Sequence, residues 1–234
     1  MKTTKISKER LSDRFDLLLF VKRLIVYCVG FAVFVLGCVL IFLSSIGSAP
    51  GGTIAEALVI ITGLSLGTTS MLINVAFIGL QLLLIGKKFG VRHLLQIPAS
   101  ILFSALIQLF LPIEKILGIF LNNLPGRILV FVVGIAVFAI GNAAVYVTEL
   151  PMPPSEENIK AIIYRTGWEL HTAKTVFNVG CVVVTVVLTL VFLGHVERIG
   201  VGTIINALII GRCVQFCLEH IKPYYMRFID NSRQ

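Results

Sequence analysis

Charged residues are scarce in this chain of 234 residues. They make up 14% of the sequence, whereas hydrophobic residues make up 57%, and the mean hydropathy is +0.96. A soluble domain carries about a quarter charged residues, so this composition excludes a water-soluble globule. It also excludes a disordered chain, which has few apolar residues and many charges. The sequence therefore predicts a polytopic integral membrane protein.

The five cysteines do not have the pattern of a disulfide framework or a metal site. All lie in apolar segments, where a cysteine acts as a small hydrophobe, and none has a histidine partner at metal-ligand spacing: Cys28, Cys38, Cys181, Cys213 and Cys217. The sequence also has no P-loop, no dinucleotide fingerprint and no nucleic-acid-binding module. We therefore expect no cofactor, no metal, no nucleic-acid partner and no enzymatic activity.

One short pattern, GLSLG at residues 63–67, matches a serine nucleophile motif. Such a serine needs a base within hydrogen-bond reach and a strand-turn-helix context, and the sequence indicates neither. We therefore expect no catalytic residues, and an intramembrane serine hydrolase at Ser65 is only a third alternative.

Six apolar stretches are each long enough to cross a bilayer, which takes about 20 residues. The first is too long for the core of a signal peptide and is therefore a retained span. The stretches are 24–46, 68–86, 94–112, 127–148, 175–194 and 199–218. The predicted fold class is an all-α bundle of six transmembrane helices with the lipid bilayer around it.

The distribution of Lys and Arg sets the orientation. With the N-terminus inside, sixteen of the twenty lie on the inner side, seven of them in the basic segment 1–23, and the loop 47–67 has none. Because cytoplasmic loops carry the excess of Lys and Arg, we predict that both termini, including the tail 219–234, are cytoplasmic.

The chain contains an internal repeat with an offset of 104 residues. Residues 23–84 align with 127–188 without a gap, with 17 identities in 62 positions. After a three-residue insertion, residues 95–111 align with 202–218. Several Gly, Pro, Thr and Asn residues match in this one register, which apolar composition alone does not readily produce.

Each half of the repeat, 24–112 and 127–218, contains three spans, and 113–126 connects the halves. An odd number of spans inverts the second half, which predicts a three-plus-three inverted repeat. The loop after span 1 then faces outside and its counterpart after span 4 faces inside. If 54–66 were a further span, the repeat would be parallel, but the matching segment 156–166 carries four charges, which are costly at a bilayer centre.

These residues resemble the YitT/YczE/YyaS-type bacterial integral membrane proteins. The resemblance rests on G-x6-G in the first span, on the PGGT…TGLSLGTTS stretch and on the final helix IGVGTIINALIIG. It implies a multi-span protein of the bacterial cytoplasmic (inner) membrane, in a family usually regarded as transporters.

The candidate solute site lies at two Pro/Gly-interrupted loops, 48–67 and 150–167, where we expect short broken helices. Such loops at matching positions of two halves are a sequence sign of a transporter site, because a helix N-terminus has free amides. The alternative is a capped surface helix beginning near Ser155. The candidate residues are Pro50, Gly51, Gly52, Thr53, Glu56, Asn74, Pro154, Glu156, Glu169 and Asn178.

Two pairs of glycines in the first span of each half are seven residues apart, so each pair lies on one helix face. Small residues let transmembrane helices approach closely, which predicts a packing role for Gly30, Gly37, Gly134 and Gly141.

The preferred function is transport or export of a small solute through a site between the halves. The alternative is a non-transporting scaffold or regulatory partner of another membrane complex. The sequence leaves the solute, the coupling ion and the oligomeric state open.

Overall fold

The computed structural model describes residues 2–197 and 199–230. This part of the chain forms nine α-helices and no strand, which confirms the all-α fold class. The helices are α1 (Lys2–Leu43), α2 (Pro50–Thr62), α3 (Leu66–Ile85), α4 (Gln96–Phe110), α5 (Glu114–Leu121), α6 (Leu124–Thr148), α7 (Pro154–Thr166), α8 (Leu170–Leu193) and α9 (Val201–Asp230). The first residue of the basic segment and the last four of the tail lie outside the described residues, as does Arg198.

Six helical segments of the described chain are long and apolar enough to cross a membrane, as predicted. They are Leu19–Leu43, Leu66–Ile85, His93–Leu121, Leu124–Thr148, Leu170–Leu193 and Val201–Phe228. The connection predicted at 113–126 is largely helical, because α5 fills most of it. The following helix α6 begins at Leu124, where the Asn123 side chain accepts a hydrogen bond from the Gly126 amide and caps the helix.

Helices α1 and α6 form the centre of the bundle and run antiparallel. A Cβ on Gly37 would lie 2.3 Å from the Phe138 nitrogen, and one on Gly141 would lie 2.1 Å from the Phe34 nitrogen. Gly30 likewise faces Ala144, so residue numbers rise along one helix as they fall along the other. The backbones approach this closely because the contact positions are glycines.

The contacts between α1 and α6 are exchanged by the repeat offset. Gly37 and Phe34 of α1 are the repeat counterparts of Gly141 and Phe138 of α6. Gly37 contacts Phe138, and Gly141 contacts Phe34 in the same way. The corresponding first helices of the two halves therefore pack symmetrically and in opposite directions.

The short helices α2 and α7 are the two predicted broken helices. Each has 13 residues, or about 20 Å, which is too short for a hydrocarbon core of about 30 Å. Each begins at a proline and ends at a glycine with φ 71°, Gly63 and Gly167, in the left-handed conformation that ends helices. Helix α2 packs against α8, and α7 packs against α3. Each short helix therefore contacts a long helix of the other half of the repeat.

The N-termini of α2 and α7 meet. A Cβ on Gly51 would lie 3.2 Å from the Ser155 Cβ, and these two residues are counterparts in the repeat. The two loops, which the sequence predicts on opposite membrane faces, therefore come together at the starts of their short helices.

Candidate functional site

A cavity of about 480 Å³ lies between α3, α4, α7 and the end of α6; we call it the α3–α4 cavity. It reaches the start of α7, because Pro151 and Glu157 line it. Its remaining lining residues are Gln81, Ile85, Lys88, His93, Gln96, Tyr146, Glu149, Leu150, Lys160, Ala161 and Tyr164. Many of the lining side chains carry polar groups, but most of the surface that they present to the cavity is apolar.

Two buried glutamines bridge α3 and α4 at the wall of this cavity. Gln81 Nε2 donates to Gln96 Oε1 at 2.9 Å, and Gln96 Nε2 donates to Gln81 Oε1 at 3.1 Å. Gln81 Nε2 also donates to the carbonyl of Pro154, the first residue of α7, at 3.2 Å. The α3–α4 connection is therefore made by neutral amides, which need partners in a membrane interior.

A buried ion pair lies beside the start of α7. Lys174 Nζ on α8 is 2.7 Å and 2.6 Å from the two Glu156 oxygens, and the side chains are 1% and 7% exposed. Lys174 also donates to Asn142 Oδ1 at 3.2 Å, and the Tyr146 hydroxyl donates to Glu156 Oε2 at 3.2 Å. Because Tyr146 also lines the α3–α4 cavity, one side chain separates the cavity from the ion pair.

Additional local contacts surround each partner of this buried pair. Glu156 is in the first turn of α7, where the positive end of the helix dipole stabilises a carboxylate. Lys174 lies over the rings of Phe138 and Tyr146, at 5.3 and 5.8 Å from Nζ, within the range of cation–π attraction. A buried ion pair is tolerated only with such additional partners.

Lys174 was missed as a site residue by the sequence reasoning. The fifth span was predicted to begin at 175, which assigned Lys174 to the inner flank. Helix α8 begins at Leu170, so Lys174 is one turn inside it. The repeat contains a sign of this ion pair. Glu156 and Lys174 stand where the first half has Gly52 and Ser70, so the second half has two opposite charges at positions that are neutral in the first.

In the corresponding region of the first half, Gly52 and Ser70 stand at the positions of Glu156 and Lys174. Thr53 Oγ1 and Thr185 Oγ1 are 2.9 Å apart and both side chains are buried. The Ser48 hydroxyl donates to Glu56 Oε2 at 3.1 Å. Pro50 is buried and Gly52 is exposed, so the short Pro-Gly-Gly segment lies partly at the surface of the protein.

None of the ten predicted solute-site residues is among those that line the α3–α4 cavity. Asn178 is buried on α8 and Asn74 is half-buried on α3, and neither lines the α3–α4 cavity. Glu169 is 70% exposed and lies 3.2 Å from His171 Nδ1, at the start of α8. The Ser65 hydroxyl accepts a hydrogen bond from the Thr68 amide at 3.2 Å and caps α3.

Two buried amide atoms near the site have no hydrogen-bond partner among the described residues, namely Asn142 Nδ2 and Asn158 Oδ1. Asn142 accepts from Lys174 through its oxygen, and Asn158 donates to the Pro154 carbonyl at 2.9 Å. Such unpaired buried groups are uncommon, and these two flank the ion pair and the start of α7.

The six spans, the two short helices and the surrounding apolar surface define a multi-pass integral membrane protein. The chain belongs to the family of unknown function DUF6198, whose family model matches residues 21–219. Comparisons with curated proteins and with solved structures each found no match.

Proposed function

We propose that this protein transports a small polar solute, which binds where α2 and α7 begin. The observation that carries the proposal is the contact of the two short-helix N-termini, Gly51 with Ser155, next to a buried ion pair and to a cavity whose lining includes polar side chains. Helix N-termini are common ligand sites because their first amides have no partner within the helix; here the Gly52 and Glu156 amides donate to the Ala49 and Pro153 carbonyls at 2.9 Å. In transporters built from inverted repeats, broken helices of this kind form the binding site between the halves.

The charge of the site favours a neutral or zwitterionic solute. Glu156 and Lys174 together carry no net charge, and both are buried. A solute with net charge would have to pair with one of them and leave the other uncompensated, at a cost of several kcal/mol. A zwitterion exchanges one internal ion pair for two with the solute, and a neutral solute leaves the pair intact.

The remaining expectations from the sequence belong to the same proposal. They are the resemblance to the YitT/YczE/YyaS-type proteins, the bacterial cytoplasmic membrane and the cytoplasmic position of both termini. None of these affects the geometry of the site, but a bacterial inner-membrane location supplies the solute gradients that a transporter uses.

A ligand screen on the purified protein tests the proposal. Neutral, zwitterionic and charged small solutes are added to protein in lipid nanodiscs, and the unfolding temperature is measured; a solute at about 100 times its Kd stabilises by about 2.7 kcal/mol. We expect stabilisation by a neutral or zwitterionic solute and uptake of that solute into proteoliposomes. If no solute stabilises the protein and none is taken up, the proposal is wrong.

A matched pair of variants locates the binding. The double variant Glu156→Gln with Lys174→Gln removes both buried charges, while Glu197→Gln removes a charge from the exposed pair with His195, which does not line the cavity. We expect the solute response to fall strongly in the double variant and to persist in Glu197→Gln. Equal responses would place binding elsewhere.

A second candidate is a non-transporting scaffold or regulatory partner of another membrane complex. It is favoured by the exposed apolar surface of α3 and of the segment containing α4. Only 17% and 11% of their most apolar stretches are buried, against 50% in α1 and α6. These apolar faces are available to lipid or to another membrane protein. A stoichiometric complex that survives purification, together with no response to any solute, would support this alternative over transport.

A further inference from the structure

The α3–α4 cavity has a closed counterpart in the other half of the repeat. Positions related to cavity-lining residues are occupied by four threonines that are each 0% exposed; we call them the threonine layer. The pairs are Gln81 with Thr185, Ile85 with Thr189, Glu157 with Thr53, and Gln96 with Thr203. Gln81 and Gln96 are as buried as their threonine counterparts but form part of a cavity wall, whereas Ile85 and Glu157 are only half-buried where Thr189 and Thr53 are fully buried.

A seam between the loop after α1 and the start of α9 closes the threonine layer. The Gly202 amide donates to the Ile46 carbonyl at 3.2 Å, and the Ser48 amide donates to Thr203 Oγ1 at 3.0 Å. A Cβ on Gly47 would lie 2.2 Å from the Thr203 nitrogen. The backbones are therefore in direct contact along this seam.

The same seam is open in the other half. The counterparts of Gly47 and Thr203 are Pro151 and Gln96, and both line the α3–α4 cavity. The helix packing differs in the same way. Helix α8 packs extensively against α9, whereas their counterparts α3 and α4 make few contacts with each other. The two halves therefore have equivalent helices, but the contact between the loop and the following helix is closed in one half and open in the other.

We propose that the protein has a second state in which the threonine layer opens and the α3–α4 cavity closes. The inference rests on the proposed transport function and deepens it, because the solute site then opens alternately to the two membrane faces. Inverted repeats allow this exchange, since each half can adopt the packing of the other. The hydrogen bonds of the seam join neutral groups.

Cysteine accessibility tests the second state. Thr189→Cys and its counterpart Ile85→Cys are introduced separately into a cysteine-free background, and an impermeant maleimide is applied to either membrane face. Ile85→Cys should label from one face. Thr189→Cys should label from the opposite face, about 10- to 1,000-fold more slowly if the second state is populated at about 0.1–10%.

A cross-link at the seam provides the decisive comparison. Ser48→Cys and Thr203→Cys are added to the Thr189→Cys protein and oxidised, which should abolish labelling of the cysteine introduced at position 189; reduction should restore it. Ala143→Cys, at a fully buried position of α6, gives the background rate. Any of three results for Thr189→Cys would overturn the proposal. They are labelling no faster than this background rate, labelling from the same face as Ile85→Cys, and labelling that persists in the oxidised protein.

Two features keep the test independent of folding and of the solute. If Thr189→Cys does not fold, Thr185→Cys reports on the same layer. Labelling requires no solute, so alternating accessibility without solute uptake would contradict only the transport function. Solute uptake with an inaccessible threonine layer would contradict only the second state.

Discussion

Removing one charge of the Glu156–Lys174 pair leaves the other buried without its partner. Lys174→Met should lower the free energy of unfolding by about 3–5 kcal/mol, the usual cost of breaking a buried ion pair. Adding Glu156→Gln should recover much of this loss, since no buried charge then remains. The measurement is a double-mutant cycle by thermal or denaturant unfolding in nanodiscs.

The control for this cycle is Lys160→Met, which breaks the pair with Glu157 at side-chain exposures of 28% and 14%. Its effect should be smaller, because water screens the remaining carboxylate. Equal losses for Lys174→Met and Lys160→Met would contradict the structural role of the buried pair.

At the scale of elements, the packing of α1 on α6 depends on glycines at specific positions. Gly141→Ala places a Cβ 2.1 Å from the Phe34 nitrogen, which the two backbones cannot accommodate without separating. We expect a loss of at least about 1–3 kcal/mol, the typical cost of overpacking, measured as a lowered unfolding temperature.

Gly180→Ala is the matched control for this substitution. Gly180 is also in the interior of a predicted span, but a Cβ there meets nothing within 4 Å. The variant should be neutral or slightly more stable, since alanine is the better helix former. A neutral Gly141→Ala would show that the close contact of α1 and α6 does not hold.

At the scale of the whole molecule, the fold predicts the membrane sides of its connections. Ser65, between α2 and α3, and Glu169, between α7 and α8, are repeat counterparts and both exposed. Three predicted spans separate them, so single cysteines at the two positions should react with an impermeant maleimide from opposite faces of intact cells. Labelling from one face only would show that the halves are parallel.

Much of the architecture was predictable because the bilayer imposes simple rules on sequence. The six spans follow from length and hydropathy, and the broken helices follow from Pro50, Pro154 and the glycines after Thr62 and Thr166. The meeting of α2 and α7 was not predictable, because hydropathy does not say how far a chain turns back into the membrane. Lys174 was misassigned for a related reason, since a single charge at a helix end resembles an interface residue.

The α3–α4 cavity exists because the two halves of the repeat pack differently. No local sequence pattern predicts this difference in packing. Gln81 and Gln96 have no amide counterparts in the second half, where Thr185 and Thr203 stand instead. The substitution was visible in the repeat, but its meaning required knowing that the glutamines bridge two helices across open space.

In the proposed exchange between two states, this difference in side chains would set their relative free energy. Two halves with identical sequences would make the two states equal in free energy, but here one face has a pair of amides and the other a layer of hydroxyls. A carrier built this way has a preferred resting orientation and therefore unequal apparent affinities for its solute at the two faces. By thermodynamic necessity this inequality cannot drive net movement, so the direction of transport would be set by the gradients across the membrane alone.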